Sequence, residues 1–159
     1  MTFKDWATSK GLVEQETSRQ EIAELFKLAD ETLNDCRILA TTVVSAHSKY
    51  VIAYNAALAC AEIPLRALGY RTKEDSKGGH NLIFQALDFS VDPKGQYIAK
   101  LQAARSIRRQ VTYDSVGSVG LPDVVNLIDV VSSLRNAVEK WIRKEHPKLL
   151  PPEPEKVKF

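Results

Sequence analysis

Three arginines within five positions, Arg105, Arg108 and Arg109, fall in a stretch that otherwise reads as an apolar helix. From Gln96 onward, Tyr97, Ile98, Leu101, Ala104 and Val111 recur on one face at about 100° per residue. On that spacing Arg108 projects near the middle of the face and Arg105 near its edge. A guanidinium aimed at a core or an interface is costly unless it is paired and fully hydrogen-bonded. Its partner is then an acidic or amide side chain, a second subunit, or a bound anion such as phosphate. A structural alternative stands beside these. Arginines late in a helix interact favourably with its dipole, and their aliphatic stems cover apolar surface while the heads reach water.

Other polar groups lie on faces that otherwise read as buried. Asn55 and Glu62 are close in rotation on a second apolar helix, at the margin of its stripe. Asn55, inside Tyr54-Asn-Ala-Ala-Leu58, is a candidate acceptor for Arg108 across the core. Glu62 has Arg66 four residues on, the spacing of an intrahelical ion pair; a solvated pair is the plainer reading. Tyr113 follows Arg108 by five residues, about 140° around an unbroken helix. The two converge only if the helix ends or kinks between them, and Gly117 and Gly120 favour an end. A phenol beside a guanidinium can bond a phosphate or lock a helix terminus. Asp114 can cap, or pair with Arg109. His80, after Gly78 and Gly79, is first a helix-start residue and only second a functional group.

The elements that must position these groups are helical. Ser18 and Glu21 form a capping box, and Ile22, Leu25, Phe26, Ala29, Leu33 and Cys36 follow at helical spacing. A second helix is predicted from about Ser48 to Leu68, stopped by Gly69. Its stripe is Val51, Tyr54, Leu58, Ala61, Leu65 and Leu68. Residues 70–79 read as a loop, followed by a short helix from His80 to about Asp88. Pro93 suits the first turn of the arginine-bearing helix. A last long helix begins near Pro122, with Val124, Leu127, Ile128, Val131, Leu134, Val138, Trp141 and Ile142 on one face. No strand pattern competes; Thr41-Thr-Val-Val44 is β-branched but too short. The fold class is therefore all-α, an antiparallel bundle of four to five helices. Residues 1–16 are an N-terminal segment, 17–146 the bundle, and 147–159 a Pro-rich tail expected to be disordered.

Composition bounds the function. The chain has 159 residues, 44% hydrophobic and 26% charged, enough for one domain with a sizeable core. A net charge of +2 is too small to imply nucleic-acid binding by bulk electrostatics and leaves a local arginine cluster as a route to phosphate. Cys36 and Cys60 lie in apolar helical patterns and read as buried free thiols. No dinucleotide fingerprint, Walker loop, HExxH, EF-hand loop or nucleophile elbow occurs. His47, His80 and His146 share no ligand spacing, so neither metal nor cofactor is expected. Without an apolar signal core or a run of about 18 apolar residues, a cytoplasmic protein with no membrane association is the expectation.

The run Thr17-Ser-Arg-Gln-Glu-Ile-Ala-Glu-Leu25, the block Tyr54-Asn-Ala-Ala-Leu58 with Leu65-Arg-Ala-Leu-Gly-Tyr-Arg71, and Gly79-His80 stand in a suggestive order. With the arginine segment ending in Tyr113-Asp114, they resemble bacterial HEPN-domain proteins (higher eukaryotes and prokaryotes nucleotide-binding). The resemblance spans about residues 10 to 148. It implies a helical bundle that usually dimerises. In many members, a groove at the dimer interface holds an Arg followed by four to six residues and a His, and cleaves RNA without a metal. Such proteins often act in toxin–antitoxin or phage-defence systems beside a minimal nucleotidyltransferase. Arg108 matches the motif arginine, Tyr113 stands where the histidine would be, and Arg109 replaces a residue that is often small and polar.

Histidine is the usual acid/base near neutral pH, whereas tyrosine, with a pKa near 10, is a poor base there. The resemblance with this departure implies a degenerate or non-catalytic module. It would bind RNA, nucleotide phosphate or a partner protein at an Arg-lined groove of a homodimer, through Arg105, Arg108 and Arg109. Asn55, Glu62, His80 and Asp114 would support them. One alternative is a metal-independent endoribonuclease toxin using Arg108 and Tyr113, with arginine stabilising developing phosphate charge. The other is a purely structural dimer fixed by ion pairs of Arg105 and Arg108.

Overall fold

The first long helix starts where its cap residue dictates. In the computed structural model, which describes residues 2–73, 78–113 and 119–151 (the side chains of residues 112 and 113 excepted), Ser18 Oγ accepts from the Glu21 amide at 3.1 Å. Helix α2 then runs Arg19–Leu39 and buries Ile22, Phe26, Ala29, Leu33 and Cys36. The Glu21 carboxylate is engaged elsewhere. It accepts from the Thr17 hydroxyl at 3.0 Å and from Arg66 Nη1 at 2.5 Å, so one side chain ties the start of α2 to the next helix.

That helix, α3, spans Ala46–Ala67 and continues through Pro64. Gly69, at φ +89°, takes the left-handed turn that follows it. The single stripe expected for α3 is not what forms. Val51, Leu58 and Leu68 are half-buried, while Tyr50, Ala53, Tyr54, Ala56, Ala57, Cys60, Ala61, Ile63 and Leu65 are buried. The helix is enclosed because α2 packs against it and so does α6 (Leu121–Glu145). Alanines on several sides let both neighbours approach. A helix that is apolar nearly all round is a central one.

Helix α6 begins as expected, with Pro122 in its first turn and the Asp123 carboxylate accepting from the Gly120 amide at 2.9 Å. Its buried face is Val124, Leu127, Ile128, Val131, Leu134, Val138 and Ile142. Trp141, expected on that face, is half-buried against the His146 ring.

Between α3 and α6 lie α4 (Gly79–Gln85), a 3₁₀ turn (Ala86–Phe89) and α5 (Gln96–Tyr113). Pro93 does not open α5; it belongs to the turn before it. The initiator is Asp92, whose buried carboxylate accepts from the amides of Gln96 and Ile98, each at 2.8 Å. Two orphan N–H groups are thereby satisfied, and the register of the arginines is set from that end.

Six helices, not four to five, occur among the described residues. The additional one is α1 (Phe3–Ser9), in the segment given no fold from the sequence. The Phe3 ring packs on Tyr70 and on Phe89 with centroids 5.2 Å apart in each case. Residues 70–71 are correspondingly not loop: β1 (Val13–Glu14) pairs antiparallel with β2 (Tyr70–Arg71). Two-residue strands are too short for an alternating pattern to register in sequence.

The tail also departs from expectation. Pro147–Leu149 form a 3₁₀ turn, and Leu150 is buried. The Leu150 carbonyl accepts from Arg19 Nη2 and the Pro151 carbonyl from Arg143 Nη1, both at 3.1 Å. Residues 147–151 thus dock on α2 and α6 rather than being disordered; 152–159 lie outside the described residues. Among the described residues, no helix is long and apolar enough to cross a membrane.

Candidate functional site

A cavity of about 600 Å³ opens where α3, α4 and α5 meet. Helix α5 contributes Arg105, Arg108 and Arg109, which one turn of helix brings to the same wall. Lys73, on the segment after β2, adds a fourth cation, and among the described residues of the wall Glu62 supplies the one carboxylate. A concave surface with cations converging from two segments is built for an anion. Gly78, at φ +80°, turns the chain into α4 and presents His80 to the same space. Gln102 on α5 donates to the Asn81 side chain at 2.6 Å, which holds α4 against α5 one turn before Arg105.

At the inner end sits Tyr54. Its ring is fully buried on α3, and the Arg108 guanidinium carbon lies 5.4 Å from its centroid. That cation–π contact answers, in part, what meets a guanidinium on an apolar face. Asn55, the acceptor suggested by sequence, does not serve there: it is exposed and is not part of the cavity wall. One residue is 100° of rotation, and the inward position belongs to Tyr54.

The Tyr54 hydroxyl lies 3.1 Å from His80 Nδ1. Burial pushes the Tyr54 pKa up, while Arg108 and then Arg105 oppose it, so the phenol keeps its proton at neutral pH. The His80 pKa is lowered, first by burial of its inner side and then by Arg108 and Arg105; Glu62 acts the other way. His80 is therefore a neutral imidazole at pH 7, although the ring is otherwise exposed at the cavity mouth. Two tautomers give it two uses. With the phenol donating to Nδ1, Nε2–H is a donor for an anion. With Nδ1–H donating to the phenol oxygen, Nε2 is an open proton acceptor.

Glu62 is held by Arg66 Nη2 at 3.0 Å, and Arg66 also bonds Glu21. The intrahelical pair read from spacing exists, but it is half-buried and faces a cavity rather than bulk solvent. Arg108 and Arg105 are half-buried; Arg109 is exposed at the rim.

The Arg108–Tyr113 convergence required α5 to end between the two residues. Instead the helix backbone runs through to Tyr113. The Tyr113 side chain and Asp114 lie outside the described residues. Sequence reasoning assigned Tyr54 to the core and Lys73 to a loop, and so missed both. The available signal was the mixed-charge stretch from Arg71 to Lys77 leading directly into Gly78-Gly79-His80. Among the described residues, no three His, Cys, Asp or Glu side chains gather as a metal site.

No family model, curated protein or solved structure matches the chain.

Proposed function

We propose that this protein is a HEPN-like helical module that binds RNA or nucleotide phosphate in the cavity of Arg105, Arg108, Arg109 and Lys73. The observation that carries this reading is the convergence of those four cations with the His80 imidazole in one concavity. The cation–π contact of Arg108 with Tyr54 supports it further, because a guanidinium held over a buried ring is partly preorganised for a phosphate. A second copy of the chain and a minimal nucleotidyltransferase are the partners implied by the resemblance to HEPN proteins, within a toxin–antitoxin or phage-defence setting.

The test is fluorescence anisotropy of a labelled single-stranded RNA with wild type and Arg108→Ala, both first checked for native helicity. Loss of about tenfold or more in affinity by a folded variant supports the reading, since charge-assisted bonds contribute roughly 1.5–3 kcal/mol. Unchanged affinity refutes it.

One observation favours a second reading, a metal-independent endoribonuclease. The imidazole that Tyr113 cannot supply is available from His80. In that reading His80 Nε2 takes the 2′-hydroxyl proton, and the 2′-oxygen attacks phosphorus. The bond to the 5′-oxygen breaks, that oxygen leaving as a hydroxyl with a proton from solvent, and a 2′,3′-cyclic phosphate remains, while the arginines stabilise the charge on the phosphoryl oxygens. RNA cleavage in the presence of a chelator, abolished in His80→Ala, would establish it. Binding without cleavage returns the weight to the first reading.

A further inference from the structure

Glu62 is out of character in a cavity built for an anion. It shares the cavity wall with Arg105, Arg108 and Arg109, and it acts electrostatically on the same imidazole as Arg105 and Arg108 do. A carboxylate repels a phosphate, so a site for phosphate alone has no use for one there. Nor is it consumed by its neighbour. Arg66 Nη2 holds Oε1 at 3.0 Å, and Oε2 has no hydrogen-bond partner among the described residues. An open carboxylate oxygen accepts from a hydroxyl and cannot donate.

The cavity is also larger than a phosphate requires. Its volume of about 600 Å³ is in the range of sites that enclose whole small molecules. Along α3, Tyr54 and Glu62 are eight residues apart, about 12 Å of helix axis. The two ends differ in chemistry. Guanidinium, phenol and imidazole mark one, and a half-buried carboxylate marks the other. A ligand that satisfies both carries an anion and, further along, a hydrogen-bond donor.

We infer that Glu62 is a specificity-determining residue whose Oε2 accepts the 2′-hydroxyl of a ribose in the same strand as the phosphate held by the arginines, so that the site distinguishes ribose from deoxyribose. The inference rests on the phosphate-binding reading above. Arg66 and Glu21 are positioning residues for it: Glu21 anchors Arg66, and Arg66 fixes the rotamer of Glu62.

The experiment measures binding of the full chain to a single-stranded RNA and to a DNA of the same sequence, composed of A and C only. Wild type is expected to favour RNA by roughly tenfold, the effect of one hydrogen bond to a charged acceptor. Glu62→Gln should bring the ratio to within about twofold while DNA affinity holds or rises, because the repulsion is gone. Glu21→Gln disturbs the Arg66 network without entering the cavity, and should keep more of the preference than Glu62→Gln does. Equal affinity of wild type for both polymers overturns the inference and leaves phosphate binding intact, as does a preference that Glu62→Gln fails to reduce. Binding of neither polymer overturns the phosphate-binding reading itself.

Discussion

Arg108 lies over the face of Tyr54, and the Tyr54 hydroxyl reaches His80, so a buried phenol on α3 connects the cation of α5 to the imidazole of α4. Each member changes the others. Burial first, and then the arginines, lower the His80 pKa, and the phenol meets the ring at Nδ1. Removing one member should therefore alter binding without unfolding the bundle. Arg108→Ala loses the cation–π contact, about 1–2 kcal/mol for a partly desolvated pair. Arg108→Lys keeps the charge and loses the planar fork, so its affinity for RNA should fall between wild type and Arg108→Ala. Denaturant unfolding and anisotropy on the same samples separate the two effects.

Binding of a phosphodiester should tighten as pH falls. The His80 pKa is lowered in the free protein, and an anion beside the ring favours the protonated form, so binding takes up a proton. The gain appears as pH drops from about 7.5 toward the lowered His80 pKa, and it should vanish in His80→Gln. A diester is the right probe because its own charge does not change in that range. Stability moves the opposite way. A histidine lowered below its unfolded value favours folding above about pH 6.5 and loses that contribution as pH falls. Affinity profiles and melting curves between pH 5.5 and 8, compared for wild type and His80→Gln, check both signs.

Asp92 is remote from the cavity yet sets the helix that carries its cations. Asp92→Ala leaves the amides of Gln96 and Ile98 without their acceptor. The loss should be about 1–2 kcal/mol, or roughly 2–4 °C in Tm per kcal/mol for a chain of this size. RNA affinity should weaken with it as the start of α5 frays. Asp92→Asn keeps one acceptor oxygen and should recover part of both.

Arg66 bridges the Glu21 and Glu62 carboxylates, all three being about one quarter exposed. Arg66→Met leaves two half-buried carboxylates facing each other and should destabilise by about 1–3 kcal/mol. Glu21→Gln, which leaves one charge pair intact, should cost less. Urea unfolding of the two variants orders them.

Much of this arrangement was legible in the chain, and the omissions have physical causes. The capping residue Ser18, the stop at Gly69, the opening of α6 at Pro122 and the inward arginines all follow from local rules, and local rules are what a sequence displays. The Asn55 assignment failed because α3 is enclosed on several sides, so its apolar residues do not define a single direction. A stripe is informative only when one face is wet. The α1 segment and the β1–β2 ladder depend on Phe3 meeting Tyr70 and Phe89, contacts between residues far apart in sequence. His80 entered the site for the same reason. Its partner Tyr54 is 26 residues away, and no spacing rule links them.

The most direct test of the central claim is a ¹H–¹⁵N NMR titration of the full chain with a single-stranded RNA. Phosphate binding in the cavity predicts that the largest shifts fall on the amides of Gly79 and His80 and on the side-chain resonances of Arg105 and Arg108, with little change along α2. Shifts concentrated elsewhere, such as at a second cavity between α5 and α6 lined by Ile107 and Val130, would contradict it, as would a spectrum that RNA leaves unchanged.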